Sequence, residues 1–112
     1  MKKYTHEAIF CIVNAGFSDT AMDAARECGA GGGTVIHARG TAKDEAEKMF
    51  NITIQPEKEI VMIIVEKEKR DAILHALYQK AGLNTQGQGI AFSLPIDKVV
   101  GLSETKVEAL AK

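Results

Sequence analysis

Residues 59–66 read EIVMIIVE, a run that is apolar on both of its alternating faces and closed by a charge at each end. A strand covered on one side alternates apolar with polar residues. A strand apolar on both sides needs cover on both, which places it in the middle of a sheet. The unbroken apolar part, 60–65, is strand-sized and too short to cross a bilayer. The rest of the chain has to supply two layers around this strand.

The remaining segments supply one of them. Residues 6–13 (HEAIFCIV) form a β-rich run broken by Asn14, Ala15 and Gly16. Ser18 or Asp19 is placed to cap a helix whose apolar face is Ala21, Ala24, Ala25 and Cys28, with Gly29 as its stop. Residues 34–39 (TVIHAR) read as a second strand followed by Gly40. Residues 41–50 are charged and weakly helical, and 51–57 are irregular around Pro56. Residues 67–81 predict a helix with Ile73, Leu74, Leu77, Tyr78 and Ala81 on one face and Gly82 as its end. Residues 90–94 are a last strand limited by Pro95, and Ser103 caps a short helix over 104–111.

The order β-α-β-loop-β-α-β predicts an α+β fold. It is a ferredoxin-like βαββαβ sandwich with a four-stranded antiparallel sheet, both helices on one face and a short C-terminal helix. A chain of 112 residues suits one domain, 1–112. The second face of the sheet has no helix left to cover it. An apolar strand facing that side predicts oligomerisation through the sheet.

Composition excludes several classes. Net charge is −1 with Lys and Arg scattered along the chain, so no basic footprint for nucleic acid is present. The N-terminal residues MKKYTHE lead into a short apolar run without a small-residue cleavage site, which predicts no signal peptide. Cys11 and Cys28 fall on apolar faces and read as reduced, buried side chains of a cytoplasmic protein. His6, His37 and His75 have no short ligand spacing. Neither a nucleophile with its base nor a carboxylate pair stands out, and Ser18, Ser93 and Ser103 are explained as two caps and a strand residue. The chain reads as a non-enzyme.

Two glycine clusters remain, Gly31-Gly32-Gly33 before Thr34 and Gly87-Gln88-Gly89 before Ile90. The first reads mainly as the turn that launches the second strand. The second is the stronger candidate for backbone facing an anion. His37 and Arg39 alternate onto one face of the second strand, which either lines a cleft or faces solvent. Together, Gly33-Thr34-Val35 through Arg39-Gly40, a charged loop, the 59–65 strand, Gly87-Gln88-Gly89 and Lys98-Val99-Val100 resemble the PII signal-transduction family over residues 6–102.

The resemblance implies a homotrimer with adenine-nucleotide sites in the clefts between subunits and no tightly bound cofactor. One wall would be Thr34, Arg39 and Gly40 at the second strand and the base of the long T-loop. The other would be the 84–90 loop, with Gly87, Gln88 and Gly89 facing phosphate oxygens. Met62 and Ile64 would contact the adenine by resemblance, while their pattern alone reads as core. It also implies a membrane transporter or metabolic enzyme as the regulated partner.

Departures from the family pattern bear on the ligand. The positions that usually carry a lysine after the second glycine pair and two later arginines hold Ile90, Gly101 and Ser103. Each charged hydrogen bond is worth about 1.5–3 kcal/mol, so three lost bonds amount to roughly three to six decades of affinity. Arg39, Lys43 and Lys98 offer partial compensation, and AMP, ADP or cyclic AMP fits better than ATP. The 41–56 loop is shorter than the usual T-loop and has no tyrosine. It either orders on binding or is a plain connection. A weaker resemblance to the trimeric CutA family predicts instead copper or zinc at His37, His75 or a cysteine.

Overall fold

Strand β1, His6–Asn14, alternates between half-buried and buried at every position, with Glu7, Ile9, Cys11 and Val13 turned inward. Its partner β3, Glu57–Glu66, pairs with it antiparallel through Ile9–Ile63 and Cys11–Val61. With β2 (Thr34–Arg39) and β4 (Gly89–Ile96) they make a four-stranded antiparallel sheet in the order β2-β3-β1-β4. This is the expected βαββαβ arrangement. The structure, a computed structural model, describes residues 3–41, 57–83 and 89–102; the expectations for 42–56, 84–88 and 104–111 lie outside them.

Helices α1 (Ser18–Glu27) and α2 (Arg70–Lys80) pack on each other and on one face of the sheet. Between them sits the core of Ile9, Val61, Ile63, Ile73 and Leu77, with Cys11 and small alanines that let helix and sheet approach closely. Burial pushes the Cys11 thiol up to about 11, so it stays a neutral hydrophobe. Cys28 is only half-buried and its Sγ lies 3.6 Å from the Ala72 carbonyl oxygen, which corrects the expectation that both thiols are enclosed.

Other boundaries also differ, for identifiable reasons. Phe17, not Ser18 or Asp19, occupies the N-cap of α1, and no side chain of its own turn caps it. At the other end the expected glycine stop holds: Gly29 has φ +99, and the Ala30 and Gly29 amides donate to the Ala25 and Arg26 carbonyls. The predicted 67–81 helix splits into a 3-10 turn, Lys67–Lys69, and α2. In α2 Ile73, Ala76 and Leu77 are buried, while Tyr78 faces solvent instead of the core. Strand β4 runs on through Pro95 because it is an edge strand, where a missing N–H costs no ladder bond. Among the described residues no helix is long and apolar enough to cross a membrane.

The helix-free face carries Ile36, Met62, Phe10, Phe92, Ile90 and Leu94. Phe10 and Phe92 stack with centroids 5.3 Å apart, and Ile36, Phe92 and Leu94 are exposed. Among the described residues, no second layer covers this face of β3.

Candidate functional site

A cavity of about 860 Å³ opens where the start of β2 meets the end of β3. The C-terminal cap of α1 and the Gly31–Gly33 segment form one side, and Thr5 and His6 form another. Met62 and Ile64 give it an apolar floor, while Glu66, Glu68 and Lys69 supply its charges. The Lys69 ammonium is already engaged: it donates to the Gly29 carbonyl at 3.3 Å and lies 3.4 Å from a Glu66 oxygen. Among the described residues, two carboxylates and one occupied cation make a poor cradle for a polyphosphate. An apolar floor with hydroxyl and imidazole groups at Thr5, Thr34 and His6 suits a heteroaromatic base and its sugar.

The first glycine cluster acquires a different role here. None of Gly31, Gly32 and Gly33 has positive φ, so the expected strand-launching turn does not account for them. At Gly33 an added Cβ would lie 3.0 Å from both the Met22 sulfur and the Met62 carbonyl oxygen, so close packing favours glycine. At Gly31 and Gly32 a Cβ would meet nothing within 4 Å, yet both line the cavity. These two leave bare backbone facing empty space.

The residues singled out from sequence separate into three places. Thr34 and Ile64 line the cavity together, with Met62 beside them, so Met62 and Ile64 are half-buried cavity residues and not the enclosed core that their pattern suggests. Arg39 lies at the opposite end of β2, five residues from Thr34, or about 17 Å along an extended strand, and Gly40 follows it. Gly89 pairs with Val13 on the other outer strand, about 14 Å across the sheet from β2. Gly87 and Gln88 lie outside the described residues. Thr34 and Gly89 therefore stand on opposite edges of the sheet.

His37 is exposed, its Nδ1 3.9 Å from Glu59 Oε2, and His75 sits on the exposed side of α2. Among the described residues no three His, Cys, Asp or Glu side chains come together in a metal-binding group. Sequence reasoning missed Thr5, His6, Glu66, Glu68 and Lys69. The signal was weak, because only the His6–Glu66 pairing register brings those strand ends together.

Comparison with known proteins matches this arrangement to one family. The sequence model for nitrogen regulatory protein P-II matches residues 6–106. Among solved structures, the chain is similar to Arabidopsis thaliana PII bound to citrate, at 20% identity and a TM-score of 0.70. That match covers 93% of this chain and 86% of the plant protein's. No curated protein matches by sequence.

Proposed function

The chain belongs to the nitrogen regulatory protein P-II family, and on that premise we propose that it is a cytoplasmic signalling protein, one domain over 1–112, that senses an adenine nucleotide between subunits of a homotrimer. The observation that supports this reading is the separation of the cavity residue Thr34 and of Gly89 onto opposite outer strands. A second copy brings its 84–90 loop beside the cavity of the first, so Thr34 and Ile64 hold the base while the neighbour's Gly87, Gln88 and Gly89 face the phosphates. Arg39 and Gly40 stand at the root of the 41–56 loop, through which a membrane transporter or metabolic enzyme is regulated. The ligand acts by favouring one arrangement of that loop, with no bond made or broken.

Titration calorimetry against AMP, ADP, ATP and cyclic AMP tests the ligand. Binding of AMP or ADP is expected, with ATP held no more tightly, because the cavity offers no unengaged cation among its described residues. No heat with any of the four would overturn nucleotide sensing. Gly31→Ala and Gly32→Ala should weaken binding several-fold while leaving the melting temperature unchanged or slightly higher, since each Cβ enters open space.

The helix-free face tests the assembly. Phe92 is exposed on β4 and stacks on Phe10 in the middle of that face. Burying Phe92→Asp unpaired in an interface is prohibitively costly, so this variant should sediment as a folded monomer at micromolar concentration where the parent chain is a trimer. A monomeric parent under the same conditions would remove the inter-subunit site.

A further inference from the structure

One carboxylate ties the root of the 42–56 loop to the start of α1. Glu59 sits third in β3, its side chain 12% exposed. Its Oε1 accepts the Gly16 amide at 2.9 Å and the Ser18 amide at 3.2 Å, from 43 and 41 residues away in sequence. The two preceding residues grip the same turn: the Ala15 amide donates to the Glu57 carbonyl at 3.0 Å, and the Lys58 ammonium donates to Asn14 Oδ1. Glu57 pairs with Arg39 across the hairpin, so these contacts stand where the chain leaves and re-enters the sheet around the loop.

We propose that Glu59 is the positioning residue that fixes the loop root against the first turn of α1, in a clamp that depends on its negative charge. This rests on the reading of that loop as the regulatory element. The first turn of a helix has unpaired N–H groups and the positive end of the helix dipole, so an anionic acceptor is favoured there. No local side chain supplies one, although Ser18 and Asp19 stand in place to do so. The cap comes from the loop root, and helix and loop root are thereby held in one arrangement. At its other end the same helix runs into the Gly31–Gly33 side of the cavity.

The Gly16 amide, with Ser18 beside it, holds the Glu59 carboxyl below the usual carboxylate range. A lowered folded value means that the clamp is complete above the ordinary carboxylate range and is lost as pH falls through the lowered value. The other charged groups around it are His37 from β2, Arg39 and Glu57 on the same sheet face toward the loop, and Asp19 in the first turn of α1. Only Glu59 accepts the two backbone N–H groups.

Amide NMR on the ligand-free protein, its Glu59→Ala and Glu59→Gln variants tests the clamp. In Glu59→Ala, hydrogen exchange at Gly16 and Ser18 should rise about tenfold. Glu59→Gln keeps an acceptor but loses the charge, and should give a smaller rise. In the parent chain, the Gly16, Ser18, Arg39 and Gly40 amides should shift together as pH falls through the acidic range, and both variants should lose that shared step. If Glu59→Gln moved Gly16 and Ser18 but left Arg39 and Gly40 in place, Glu59 would be a helix cap only and the proposal would fail. No ligand is used, so this outcome is separate from whether nucleotides bind.

Discussion

Gly89→Ala should lose roughly 2–4 kcal/mol of stability, read as a lower urea midpoint at unchanged slope. An added Cβ would lie 2.3 Å from the Ile12 carbonyl oxygen and 2.9 Å from Leu83 Cδ2. The leucine methyl can rotate away. The carbonyl belongs to β1, whose register with β4 is fixed on both sides of the clash by the Val13–Gly89 and Ile12–Ile90 pairs. Gly89 also has φ +152, which a side chain strains further. The loss is a large fraction of the ~5–15 kcal/mol that holds a small domain together. A variant with an unchanged midpoint would show that the strand can shift, and that Gly89 is free to serve only a ligand. The expected loss has a consequence for the phosphate-facing role proposed for 84–90: any weaker nucleotide binding in Gly89→Ala would report strand packing, and Gln88→Ala is the cleaner probe.

The packing of Gly89 shows where a sequence stops being legible. Alternation along β1 and the two-sided apolar run of β3 are local, and both strands lie where those patterns put them. The sheet face without helices followed from counting layers, and its exposed Ile36, Phe92 and Leu94 agree among the described residues. The cap of α1 was not legible, because the acceptor that satisfies it sits on β3 and reaches the turn only once β1 and β3 have paired. Pro95 reads as a strand stop until the strand is known to lie at an edge. The site fares worst. Thr34 and Ile64 could be paired from resemblance, but Glu66 enters the cavity from the end of β3, and Glu68 and Lys69 through the 3-10 turn that replaces the first turn of the expected helix. Bare backbone at Gly31 and Gly32 cannot be told in sequence from the packing glycine beside them; only the space around each separates the two.

Arg70→Ala should be among the most damaging substitutions that remove a solvent-reaching side chain, lowering the melting temperature by roughly 10–20 °C. Alternation puts Glu7 on the inward face of β1 with Ile9, Cys11 and Val13, and its side chain is 1% exposed. Arg70 Nη1 and the Tyr4 hydroxyl both donate to Glu7 Oε2 at 2.8 Å, while Oε1 is buried without a partner among the described residues. Arg70 also donates through Nε to Asp71 at 2.8 Å, and Asp71, more than Glu7, raises its pKa; the guanidinium is fixed as well as charged. Removing it strands a carboxylate between sheet and helix, and desolvation of that charge dominates the loss. Replacing both partners avoids the stranded charge, so Glu7→Leu with Arg70→Leu should recover most of the melting temperature. Tyr4→Phe removes one of the two donors and should cost less than Arg70→Ala. The double-mutant cycle decides the cause: if Glu7→Leu did not rescue Arg70→Leu, the damage would come from lost packing of the arginine stem and not from the buried charge.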